Sequence, residues 1–170
     1  RHPSSILKDD GDPYIVYTPY KNKWYEESLP NPGELLPIPE GLPPLPENIE
    51  SIALPKAEPV SSAPATTKEA QVRFSDFLED GIQYYKSQRD RMDLDGTSQL
   101  SAYLRFGLLS IREAFAMAQV ALMQTQKDKT RAEIRTWMNE LVWREFYTTI
   151  LYHFPHVMDG PFREDYENID

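Results

Sequence analysis

"TRAEIRTWMNELVWREFYTTILYHF", residues 130–154, decides the fold. Ile134, Trp137, Met138, Leu141, Val142 and Phe146 recur at spacings of three and four, which gathers side chains on one face of an α-helix. Thr130 with Glu133 reads as a capping box at its start, each side chain satisfying a backbone amide of the other. Pro155 ends it, because proline has no amide hydrogen and clashes with the preceding turn. The box recurs as Thr66 with Glu69 in "TTKEAQVRFSDFL" and as Ser110 with Glu113 in "SIREAFAMAQVALM". In the latter, Ile111, Ala114, Phe115, Ala118 and Leu122 keep helical spacing. Three capped amphipathic helices without alternating strands predict a mainly α domain over 66–170.

The bulk properties bound what such a domain can do. The chain has 170 residues, enough for one ordinary domain or one domain with part of another, and 40% hydrophobic residues, enough for a core. It has no cysteine, which excludes a disulfide scaffold and a zinc–thiolate site and makes a reducing cytoplasm the default. No stretch approaches the roughly 20 apolar residues of a membrane helix, and no signal peptide opens the chain. It starts on Arg1 and closes on "REDYENID", so it reads as a piece of a longer protein. A net charge of −9 argues against a nucleic-acid partner. The charge is uneven, however. Residues 1–64 carry 10 acids against 5 bases and 161–170 carry 4 against 1, whereas 65–160 carry 13 against 12. A local basic groove is compatible with that middle segment.

Thirteen of the 15 prolines precede residue 65. "GDPYIVYTPY" reads as a turn and a short β-rich run, Tyr14 to Tyr17, stopped at Pro19. Residues 28–65 read as an extended linker, since neither helix nor central strand survives that proline spacing. Leu35, Leu36, Ile38, Leu42 and Leu45 suggest that the linker lies against a surface; plain disorder is the alternative.

The helix that decides the fold has a second stripe. Glu140, Trp143, Arg144 and Tyr147 stand at i, i+3, i+4 and i+7, beside the apolar face. One reading is a Glu140–Arg144 surface pair, worth about 0.3–0.5 kcal/mol, next to a partly buried tryptophan. The other is a wall offering an aromatic surface, a carboxylate acceptor and a guanidinium donor to a planar heterocycle that carries phosphate. "DLDGTSQLSAYLRFG" supplies a matching turn: Gly96 for a tight bend, Thr97 as N-cap, Ser98, Gln99 and Leu100 opening a short helix, and Gly107 ending it. Amides and hydroxyls at a helix start suit phosphate, although most such caps bind nothing. His153, His156 and Asp159 do not add up to a metal site, because Pro155 breaks the helix among them.

These two segments carry a resemblance. "YYKSQRDRMDLDGTSQLSAYLRFGLLSIRE" and "WMNELVWREFYTTILYHFPHVMDGPF" resemble the DNA photolyase/cryptochrome family, most closely its class I cyclobutane pyrimidine dimer photolyases. "GDPYIVYTPYKNKW" resembles the segment that leaves the family's α/β antenna domain. The resemblance implies that 1–27 end that antenna domain, 28–65 form the interdomain linker, and 66–170 begin the helical domain that holds FAD. By matching position, Tyr85, Thr97, Ser98, Gln99, Leu100, Ser101, Trp137 and Arg144 resemble FAD contacts. The family usually has a basic residue where Gln99 stands, and Ile111 replaces the proline of its common "SPRE". Glu140 and Trp143 resemble the catalytic residues that hydrogen-bond and stack on a dimer flipped out of DNA. Arg89, Arg144 and Tyr147 are placed with them on the DNA side.

The implied function is light-driven repair: excited reduced flavin passes an electron to the dimer, which splits and returns it. The partner is UV-damaged DNA, and a cytoplasmic monomer is expected. An antenna chromophore of folate or deazaflavin type belongs to the part of the family outside this chain, as do the tryptophans that relay electrons. The competing readings are a cryptochrome-like blue-light receptor without repair and a photolyase for (6-4) lesions. Asn139, Glu140 and Trp143 together favour dimer repair over the receptor.

Overall fold

Thr66 and Ser110 open their helices with their hydroxyls as expected, but the return half of the box is not made at Thr66, whose amide donates to the Pro64 carbonyl while the Glu69 carboxylate takes Arg73. In the computed structural model, which describes residues 2–27, 29, 39–46, 48, 49, 52, 53, 56 and 64–166, the Thr66 hydroxyl accepts the Glu69 amide at 3.1 Å. It starts helix α2, Thr67–Asp76. The Ser110 hydroxyl accepts the Glu113 amide at 3.5 Å and starts α5, Ile111–Gln124. The other helices are α1 (Tyr17–Glu26), α3 (Tyr85–Gln88), α4 (Ser101–Arg105) and α6 (Asp128–His153). A π-turn, Phe77–Gly81, and a 3-10 turn, Ile82–Tyr84, join α2 to α3. The fold is mainly α, as the helical spacing predicts.

Helix α6 is the organising element and packs against α1, α3 and α5. Its face of Ile134, Trp137, Met138, Leu141, Val142 and Phe146 is buried throughout. Pro155 follows its last residue, His153, as required of a residue without an amide donor. Its start differs from expectation. Lys127 is the N-cap, Thr130 lies inside the helix, and Glu133 caps nothing. Glu133 is 4% exposed and its carboxylate accepts the backbone amide of Ser87 at 3.0 Å, which fastens α3 to α6. The box pattern was present, but a buried tertiary hydrogen bond claimed the carboxylate.

The N-terminal segment also departs from expectation. Tyr14 to Tyr17 form no strand; among the described residues the β pairing is an isolated bridge between Leu7 and Pro13. Tyr17 is instead the first residue of α1, and Pro19 sits in its first turn. Proline is tolerated there because that amide has no helical partner to lose. Tyr20 and Trp24 are buried against α6 and α5, with Tyr20 5.1 Å from Phe146 and Trp24 edge-on to Phe115 at 5.0 Å. The Trp24 indole donates to the Glu145 carboxylate. In the segment expected to be a linker, Leu42 and Leu45 are 85% and 80% exposed, so they do not lie on a surface of this chain. Leu35, Leu36 and Ile38 are outside the described residues.

The turn between α3 and α4 is built differently from its sequence reading. Thr97 is not a cap: α4 starts at Ser101 with Leu100 as N-cap, and Ser98 and Gln99 precede it in irregular chain. Gln99 takes a positive φ of 51°, the left-handed region. Gly107, with φ 71°, follows the last turn of α4 as expected. Gly96 is needed for a close approach. A Cβ there would lie 2.5 Å from Gln88 Cβ and 2.7 Å from the Gln88 carbonyl oxygen. Gly96→Ala should therefore push the turn off α3 and cost about 1–3 kcal/mol. The check is a lower denaturation midpoint at unchanged slope.

Candidate functional site

The stripe on α6 and the turn before α4 face each other across one cavity of about 270 Å³. Tyr85, Ser98, Ser101, Leu104, Trp137, Glu140, Leu141 and Arg144 line it. Three hydroxyls, a carboxylate and a guanidinium thus surround an apolar floor. Trp137 is 3% exposed and held in place by Phe74, whose ring lies 5.7 Å away at 24°, and by Phe77 at 5.5 Å. Burial raises the Tyr85 phenol above its ordinary pKa, with Glu140 adding to the shift, so it stays a protonated donor at neutral pH. The Arg89 guanidinium sits over its ring at 5.9 Å.

An open groove of about 530 Å³ adjoins the cavity, lined by Arg105, Glu140, Trp143, Arg144, Tyr147, Thr148 and Leu151. Glu140 and Arg144 therefore form part of both walls. The i,i+4 surface pair is not what holds them. The Glu140 carboxylate pairs with the Arg89 guanidinium, while Arg144 Nη2 donates to the Leu104 carbonyl at 3.5 Å. Arg89 itself lines neither space; it arrives from the end of α3, also 3.7 Å from Asp90, and orients Glu140. Trp143 is half-buried, with its ring parallel to Tyr17 at 3.5 Å and 9°. Tyr147, 62% exposed, lies 5.5 Å from Trp143 at 24°.

Three residues expected at the cavity are elsewhere. Leu100 is 1% exposed and belongs to the hydrophobic core. Gln99 turns away: its carbonyl accepts from Arg73 at 3.1 Å and its amide donates to Asp95. Thr97 is exposed and outside the lining. The left-handed Gln99 swings the chain between Ser98 and Ser101, which is why those two alone of the run reach the cavity. Conversely, Arg105 and Tyr17 were missed. Arg105 lies inside the stretch "DLDGTSQLSAYLRFG", where neither capping nor helical spacing singles it out. Tyr17, Tyr20 and Trp24 stand at i, i+3 and i+7, a helical signal that the β-branched Ile15 and Val16 beside them obscured.

No protein-family model matches the chain. It is 37% identical over 95% of its length to the deoxyribodipyrimidine photo-lyase of Synechococcus sp. strain PCC 6301. It is 32% identical, again over 95%, to that of Halobacterium salinarum. The chain belongs to the photolyase family. It spans 36% and 35% of the lengths of those two photolyases. The fold agrees with that of a class III photolyase from Agrobacterium tumefaciens, with a TM-score of 0.70 at 21% identity over 100% of this chain and 36% of that one. Within this photolyase segment, no helix among the described residues is long and apolar enough to cross a membrane.

Proposed function

We propose that the protein is a light-driven DNA repair enzyme that holds FAD in the cavity and a cyclobutane pyrimidine dimer in the groove. The observation that carries this is the shared wall: Glu140 and Arg144 face both spaces, so a cofactor and a substrate would meet across one turn of α6. The residues present fit such a cofactor. The Ser98 and Ser101 hydroxyls and the Arg144 guanidinium are donors suited to phosphate, and the edge of Trp137 with Leu104 and Leu141 forms an apolar seat for a ring. Bound there, FAD supplies one-electron reduction of the dimer under light. The chain's own part is to bind, orient and exclude water. Glu140 accepts hydrogen bonds from the pyrimidine edge, held in aim by Arg89. Trp143 and Tyr147 offer aromatic surface to bases that have left the stack, worth about 1–3 kcal/mol per base. Arg105 and Arg144 supply charge for the DNA backbone. The acidic total does not oppose this, since the cations that matter are local.

Two outcomes test the proposal in its parts. The purified protein should be yellow with noncovalent flavin, and Ser101→Glu should lower flavin occupancy by placing a carboxylate where phosphate would lie; the flavin-to-protein absorbance ratio measures it. Arg89 is one third exposed beyond its pairing with Glu140, which leaves donors free for the DNA backbone, so Arg89→Ala should weaken binding to damaged and intact DNA alike and reduce the salt slope by about 1. An intact slope with a changed damaged-to-intact ratio would restrict Arg89 to holding Glu140.

A further inference from the structure

We infer that Tyr17, which precedes the linker, is a positioning residue for lesion recognition, fixing the plane of Trp143 at the groove. This rests on the reading of the groove as the lesion site. The Tyr17 ring lies flat on the Trp143 indole, 3.5 Å between centroids and 9° between planes. Its hydroxyl donates to the backbone carbonyl of Asn139 at 3.0 Å, one helical turn before Trp143. The hydroxyl thus anchors the phenol along α6, while the flat face of the ring is what sets the plane of the indole. Phe146 meets Trp143 edge-on at 5.8 Å and 73°, which closes another direction of movement.

The contact is distinct from ordinary core packing. Neither Tyr17 nor Trp143 belongs to the fully buried set; both are half-buried at the margin of the core, and Trp143 lines the groove. Tyr25 reinforces the arrangement by donating to the Asn139 side-chain oxygen at 3.1 Å, so two phenols of α1 grip the same residue. Two consequences follow for an extruded base. With Tyr17 flat on one face and Tyr147 near-parallel beside it, Trp143 can meet the base only with the surface these two rings leave open. And the indole is ordered before the base arrives, so binding does not have to immobilise it; that saving corresponds to about 2–10-fold in affinity for one side chain.

The experiment compares Tyr17→Phe, Tyr17→Leu and Trp143→Ala in the flavin-loaded protein, by dark titration with dimer-containing and intact DNA. Tyr17→Phe keeps the flat ring and should hold the ratio of the two affinities within about twofold. Tyr17→Leu keeps apolar contact for α1 without the ring and should lower the ratio about 2–10-fold, with flavin content and intact-DNA affinity unchanged. Three results overturn the inference: a normal ratio in Tyr17→Leu, an equal loss in Tyr17→Phe, or a fall in flavin content and intact-DNA affinity along with the ratio. If Trp143→Ala also leaves the ratio unchanged, the groove is not the lesion site and the underlying reading fails with it.

Discussion

Trp137→Ala should destabilise the protein by about 3–5 kcal/mol and empty the cavity of flavin. The indole is 3% exposed, stacked on Phe74 with Phe77 tilted against it, and its remaining edge lines the cavity. Truncation removes the transfer energy of a large aromatic and leaves a void that Phe74, on α2, and Phe77, on the π-turn, cannot fill without leaving their own helical positions. The cavity wall would then lose both its ring and its rigidity. Denaturant unfolding gives the stability change and the flavin absorbance of the purified variant gives occupancy. A cost below about 1 kcal/mol would mean that the neighbouring rings collapse into the void; retained flavin would remove Trp137 from the cofactor wall.

Trp143→Ala should behave in the opposite way. Six residues separate the two tryptophans, about 600° of helical rotation, so they point roughly 120° apart. The structure puts the first in the core and the second at the groove. Removing Trp143 should cost about 1–3 kcal/mol of the preference for damaged over intact DNA while flavin stays bound. Dark titrations with the two DNAs measure the ratio. The loss is expected at the low end of that range if Tyr147 takes over part of the stacking, because its ring already lies beside the indole. An unaltered ratio would mean that the groove is not the lesion site.

How far the sequence could be read depended on whether a residue's role was local. The apolar stripe of α6, the two hydroxyl caps and the stop at Pro155 follow from spacing and backbone chemistry within one turn, and the structure has them as expected. Glu133 carries the same local pattern and yet spends its carboxylate on Ser87, 46 positions away. No local rule sees that partner. Glu140 is similar: Arg144 was the near candidate and Arg89 the actual one. The expected helix start at Thr97 falls instead at Ser101, and only Ser98 and Ser101 of the run reach the cavity; both follow from the positive φ at Gln99, which Gln does not advertise. Helix α1 was hidden because Ile15, Val16 and Pro19 all argue against a helix when read one by one, although its aromatic spacing argues for it. The residues that were missed or misassigned lie where segments distant in sequence meet, and the candidate site is built at such a meeting.

On the proposed function, one turn of α6 serves a flavin on one side and a DNA lesion on the other. The most direct measurement is dimer splitting in an oligonucleotide carrying one cyclobutane dimer, bound to the flavin-loaded, reduced protein, with and without blue light. Loss of the dimer is expected under light and none in the dark. Persistence of the dimer under light, with reduced flavin and damaged DNA both bound, would contradict it.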